Sequence, residues 1–260
     1  MDGASSGQRQ RAPLGVLILH GFTSSLDTVR PLVPAVERLG LPYRMPLLRG
    51  HGTRPEDLRG VTHRDWYADA EAALLDLRGE VEQVAICGLS MGGLVALELA
   101  ARHPRDVAAV VTIAAALRIA SPLIHLSKPI SMVRSMWTPP PGRAYADQEL
   151  ARLSTNYKSF ATDAVVSLHH YGRIVSKLLP RVRAPLLILH SRKDTVIKPL
   201  SSDLIYTRAG SMDKRRIWFE RCNHEILRDC EAEAVVAAAE DMLRRTRDRL
   251  RVESTHGSVR

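Results

Sequence analysis

The chain has 260 residues, enough for one large α/β domain with a sizeable core, or for such a domain carrying an insertion. Its 45% hydrophobic and 25% charged residues are ordinary globular values. The net charge of +9, from 37 Lys and Arg against 28 Asp and Glu, is spread along the chain, so a nucleic-acid-binding module is not expected.

The densest basic cluster, Arg244, Arg245, Arg247, Arg249 and Arg251, closes a predicted C-terminal helix, where cations offset the helix dipole. Cys87, Cys222 and Cys230 make an odd number without paired-ligand spacing, which argues against a disulfide framework. No apolar run approaches the length of a membrane span, and residues 1–13 read as a polar, mobile tail. A cytoplasmic protein without stable membrane insertion is the expectation; the oligomeric state is not legible.

In chain order, Leu14 to Leu19 is a continuously apolar run, as in a parallel strand buried on both faces. A polar loop, His20-Gly21-Phe22-Thr23-Ser24-Ser25, follows it, and apolar spacing then predicts a helix over 28–39. A second strand is expected over 43–48, then the glycine-punctuated loop Arg49-Gly50-His51-Gly52-Thr53 and a helix over 63–77. Val84 to Cys87 forms the next strand. It runs through Gly88-Leu89-Ser90-Met91-Gly92 into apolar helical spacing at Leu94, Val95, Leu97 and Leu99.

That stretch reads as a nucleophile elbow, a serine on a strained strand-to-helix turn whose flanking glycines remove Cβ atoms that would collide. Such a turn lifts the Ser90 hydroxyl above the sheet edge and aims the first helical N–H groups, beginning with Met91, at an adjacent oxygen. A further strand over 107–116 completes a β-α-β-α-β-α-β order, which implies a parallel sheet flanked by helices. The alternation breaks down over 117–180, where spacing is helical and no strand is convincing. It resumes with a strand over 185–190, a helix near 201–207, a strand over 216–219 and a long helix over 231–250.

A serine hydroxyl needs a base and a group that orients the base. Asp194 and His224 follow the last two strands, at the sheet edge where open α/β proteins assemble their sites. The order Ser90, Asp194, His224 is that of the α/β-hydrolase triad. His190 is the nearest competitor of His224. His20 and His51, beside glycines in their loops, are read as loop-fixing hydrogen-bond partners.

On these residues, with His20-Gly21-Phe22-Thr23-Ser24, Arg49-Gly50-His51-Gly52, Thr62-His63-Arg64-Asp65-Trp66, Asp194-Thr195-Val196-Ile197 and Asn223-His224, the chain resembles α/β-hydrolase serine esterases. Within them it is similar to the bacterial carboxylesterase and monoacylglycerol lipase group. The resemblance implies an α/β-hydrolase core over 14–116 and 181–250 with a small helical cap over 117–180; beyond it, residues 251–260 are expected to form a mobile tail. It also implies a small-molecule ester of short to medium acyl chain as substrate, Ser90 as nucleophile, His224 as base, Asp194 as orienting acid, and backbone N–H groups of Phe22 and Met91 as oxyanion hole. No cofactor or metal is implied. Met132, Met136 and Trp137 of the cap are candidates for the acyl-binding surface. Monoacylglycerol lipase and a non-catalytic, ligand-binding member of the fold are the competing readings.

Overall fold

Alternation along the first strand, β1 (Ala12–Leu19), divides the interior in two: Val16 and Ile18 enter one core layer, and Leu17 and Leu19 enter the other. The structure, a computed structural model, describes residues 11–139 and 144–257. Pairing of β1 begins at Ala12 opposite Val81, so residues 12 and 13 belong to the sheet and not to a tail; residues 1–10 lie outside the described residues.

The predicted helix over 28–39 is broken into 3₁₀ turns at Leu26–Thr28 and Arg30–Leu32, followed by a short helix α1 (Val33–Arg38). Pro31 and Pro34, which lack an N–H, each stand in the first turn of their segment and reset the hydrogen bonding there. The second strand, β2 (Tyr43–Arg44), is likewise shorter than the expected 43–48. Pro46 cannot donate to a ladder, and the Leu48 N–H is taken by the His20 ring instead.

A 3₁₀ turn at Pro55–Leu58 leads to α2 (His63–Arg78), which starts with a capping box between Thr62 and Asp65. Then follow β3 (Val81–Leu89), α3 (Met91–Arg102) and β4 (Val107–Ile113). β4 stops short of the expected 107–116 because Ala114 turns to φ 48°.

The excursion after β4 holds α4 (Ser127–Val133), β5 (Met136–Trp137), α5 (Gln148–Arg152), β6 (Phe160–Ala161) and α6 (Thr162–Leu178). It is not purely helical. Met136 pairs with Ala161 and Trp137 with Phe160 in an antiparallel ribbon whose strands, two residues each, are too short to leave a period in the sequence. The chain finishes with β7 (Leu186–Ser191), α7 (Leu200–Arg208), β8 (Lys214–Phe219) and α8 (Ala232–Gly257). α8 corrects the expected tail over 251–260: helix continues through Gly257, with Arg249 and Glu253 paired one turn apart at 3.9 Å and Ser254 reaching Glu82. Residues 258–260 lie outside the described residues.

The six-stranded sheet has the order β2-β1-β3-β4-β7-β8 and every pair is parallel. α2, α3 and α6 cover one face through Trp66, Leu74, Leu97 and Tyr171; α1 and α8 cover the other through Val36, Val235, Ala239 and Leu243. Successive strands therefore deliver their C-terminal ends to one edge, which gathers Ser90, the loop after β7 and the loop after β8. Among the described residues no helix is long and apolar enough to cross a membrane.

Candidate active site

β3 ends at Leu89 and α3 begins at Met91, so Ser90 alone reverses the chain, at φ 53° and ψ −112°. This conformation is sparsely populated for a residue with a side chain and persists only because its surroundings hold it. The Ser90 N–H donates to Ile113 O at 2.8 Å, and its carbonyl accepts from the N–H groups of Gly93 (3.0 Å) and Ala116 (3.1 Å). The reversal brings backbones very close together. A Cβ on Gly88 would lie 2.7 Å from Gly93 N, and one on Gly92 would lie 2.6 Å from His20 O.

The three side chains expected to act together meet. His224 Nε2 stands 3.0 Å from Ser90 Oγ, and His224 Nδ1 stands 2.8 Å from Asp194 Oδ2. The other Asp194 oxygen accepts from the N–H groups of Val196 (2.9 Å) and Ile197 (2.8 Å), which fixes the carboxylate in its own turn. All three residues are buried.

Burial alone would raise the Asp194 carboxyl; the charge and hydrogen bond of His224, with the nearby His190 ring, outweigh it and hold the group well below the usual carboxylate range. Burial pulls the His224 imidazole down, yet the charge and hydrogen bond of Asp194 overcome this and set it above the ordinary histidine value. Asp194 therefore stays ionised and orients Nδ1–H, leaving Nε2 as the proton acceptor facing Ser90.

The loop before Phe22 comes up against the elbow: a Cβ on Gly21 would lie 3.2 Å from Ser90 Cβ. Met91 opens α3, so its N–H belongs to the unpaired first turn, and among the described residues neither it nor the Phe22 N–H has a hydrogen-bond partner. His20 holds the Phe22 loop. Its buried ring accepts the Leu48 N–H at Nε2 (3.0 Å), so Nδ1 carries the proton and donates to Gly21 O (2.9 Å). Burial, with the His51 charge second, lowers its pKa to about 3, and the ring is neutral at physiological pH. His51 also acts within its loop, bonding Leu48 O (3.1 Å) and Arg49 O (3.0 Å) through Nδ1.

Several contacts had no legible signal. His190 Nε2 stands 3.3 Å from Asp194 Oδ2, the same oxygen that His224 meets, without an aligned hydrogen bond. Glu225 is buried beside His224, accepts from Asn156 Nδ2 at 2.8 Å, and is pushed up in pKa by burial. The segment between β4 and β7 holds the loops of His224 and Phe22: the His224 and Glu225 N–H groups donate to Ala144 O (3.0 and 2.9 Å), and the Tyr157 N–H donates to Thr23 O (2.8 Å). The Phe160 ring lies 5.8 Å from that of Phe22. These pairings join residues distant in sequence, and only Asn223-His224 and the Phe22 loop carried a local pattern.

Of the three acyl-surface candidates, Met136 and Trp137 are half-buried in β5, with Met136 against the core layer and Trp137 beneath the Arg134 guanidinium at 4.9 Å. Met132 does not join them. It is 82% exposed on α4, a helix that buries none of its residues among those described. Cys87 is buried with its thiol pushed up to about 12 by burial, Cys222 is buried and Cys230 exposed; all three are free.

A parallel sheet with a serine elbow after β3, and with acid and histidine on the loops after β7 and β8, defines an α/β-hydrolase. The family model described as serine aminopeptidase S33 matches residues 12–231, and the chain belongs to that family. It is 28% identical over 236 residues to a thermostable monoacylglycerol lipase of Bacillus sp. (strain H-257), covering 91% of this chain and 92% of the relative. It is 26% identical over 224 residues to a carboxylesterase of Bacillus subtilis (strain 168), covering 85% and 88%. A solved structure from work on LipS and LipT, two metagenome-derived lipolytic enzymes, superposes with a TM-score of 0.84 at 31% identity, covering 90% of this chain and 95% of that one.

Proposed function

We propose that this protein is a carboxylic ester hydrolase working through an acyl-enzyme on Ser90, with short to medium acyl esters as substrates. The observation that carries the reading is the continuous line from Ser90 Oγ to His224 Nε2 (3.0 Å) and from His224 Nδ1 to Asp194 Oδ2 (2.8 Å). As Ser90 attacks the ester carbonyl, His224 takes the hydroxyl proton at Nε2 and Asp194 stabilises the imidazolium through Nδ1–H. The N–H groups of Phe22 and Met91 receive the oxyanion. His224 then gives its proton to the leaving alcohol. Water, deprotonated by the same nitrogen, releases the acid and restores Ser90. The steps use side chains, backbone N–H groups and water alone.

Residues 117–180 act as a cap in this reading, with Met136 and Trp137 toward the acyl chain, supported by the Phe160 to Phe22 contact that seats the ribbon on the oxyanion loop. Monoacylglycerol lipase is the second reading, favoured by the near full-length similarity to the Bacillus enzyme. A cytoplasmic location belongs to the same proposal, and cell fractionation tests it. Rates of purified protein on p-nitrophenyl esters of C2 to C12, on monoacylglycerols and on amino-acid p-nitroanilides separate the possibilities. Ester turnover lost in Ser90→Ala supports the proposal; turnover of the anilides alone, or none in the wild type, overturns it.

A further inference from the structure

The surface opens into a cavity of about 620 Å³ lined by Arg118, Arg173, Ser176, Lys177, Pro180 and Arg208. Three elements bring these cations together. Arg118 lies on the segment leaving β4, Arg173 and Lys177 are one turn apart on α6 with Ser176 beside them, and Arg208 closes α7. The Ser176 hydroxyl accepts from both Arg118 Nη2 (3.2 Å) and Arg208 Nη1 (3.4 Å), so one neutral oxygen is shared by two guanidinium groups.

Many described arginines are paired with carboxylates even at the surface, as Arg30 is with Asp27 and Arg216 with Asp203. Among the described residues, none of Arg118, Arg173, Lys177 and Arg208 forms an ion pair, and no acidic side chain lines the cavity. Burial, and next the charges of Arg208 and Arg173, hold the Arg118 guanidinium below its ordinary pKa. Burial first, then the charge of His125, whose ring lies 5.5 Å away, and next those of Arg173 and Arg118, lower the His169 pKa. Arg118, which also donates to Leu117 O at 2.7 Å, and the exposed Arg173, Lys177 and Arg208 thus share one opening without an acidic partner, an arrangement that favours an entering anion. Guanidinium forks match the oxygens of phosphate two at a time, and the volume leaves room for an attached organic group.

We infer that this cavity, walled by Arg118, Arg173, Lys177 and Arg208 and floored by Ser176, binds a phosphate group, either free or carried on a lipid headgroup. None of Ser90, Asp194 and His224 lines the cavity, and the inference does not rest on the ester chemistry. Calorimetric titration of the full chain with inorganic phosphate, at about 50 mM NaCl to limit screening, is the test. Saturable 1:1 binding is expected, weakened at least about tenfold in Arg118→Gln and in Arg173→Gln, and unchanged in Arg54→Gln. Arg173→Gln, on an exposed face of α6, serves if Arg118→Gln does not fold.

Sedimentation with phosphatidylglycerol or phosphatidylcholine vesicles distinguishes the source. Capture by the anionic vesicles, competed by phosphate and lost in Arg173→Gln, assigns a lipid headgroup; phosphate binding without capture assigns a soluble phosphate. No saturation up to about 10 mM phosphate, equal binding by acetate, or equal affinity in the variants overturns the inference.

Discussion

His20 offers a quantitative test of how the oxyanion loop is held. In the folded chain its pKa is lowered to about 3, against 6.5 for an unperturbed histidine. Between these values the unfolded chain binds a proton that the folded chain does not, so folding stability falls as pH falls, with a limiting slope of about 1.4 kcal/mol per pH unit. Integrated from about pH 6.2 to about pH 4.7, the loss from this one ring is roughly 2 kcal/mol, and comparison with a variant that lacks the ring cancels the titration of the other groups.

His224 does not oppose it there. Its folded pKa is raised, so its contribution is fully present below the unfolded value and is lost only as pH rises through the folded value. His20→Gln keeps an acceptor for the Leu48 N–H without a titrating group. Urea denaturation of both proteins at the two pH values is the assay. The variant should lose about 2 kcal/mol less than the wild type over this interval. An identical pH response in both would refute the neutral, Nδ1-protonated ring and with it the explanation for the loop's position.

Other consequences bear on the chemistry and the fold. Asp194→Asn should lower kcat by up to ~10⁴, as in other triads, because the amide no longer fixes the imidazole tautomer; steady-state rates on p-nitrophenyl butyrate measure it. In the wild type, kcat/KM should rise with pH through an apparent pKa above the ordinary histidine value, since neutral His224 is the base, and removing the Asp194 charge should bring that pKa down. Trp137→Ala should shift the preference among C2 to C12 esters, whereas Met132→Ala, at a side chain 82% exposed, should leave the ratios alone. Gly88→Ala should cost more than about 2 kcal/mol in a denaturant melt, because its Cβ meets backbone and not a movable side chain.

What the sequence disclosed followed from local chemistry. The elbow was legible because Gly88, Ser90 and Gly92 are the residue types that a strand-to-helix reversal demands, with apolar runs on either side. Asp194 and His224 could be read as partners because each follows a strand in a parallel sheet, and topology carries them to one edge.

Where single residues compete with a pattern, the reading slipped. Pro31, Pro34 and Pro46 shortened a helix and a strand that apolar spacing extended. The ribbon of β5 and β6 is held by cross-chain pairing that no periodicity announces. Met132 looked like an acyl-chain contact because it is apolar, but the turn of α4 that carries it faces solvent. Nor does a list of scattered arginines reveal that Arg118, Arg173 and Arg208 face one cavity.

Stoichiometric reaction with a fluorophosphonate, followed by intact mass and peptide mapping, tests the central claim most directly. One adduct per chain is expected, located at Ser90, and lost in both Ser90→Ala and His224→Ala. An unlabelled wild type, or undiminished labelling once the Ser90 hydroxyl is removed, would contradict the assignment of the nucleophile and leave only the fold standing.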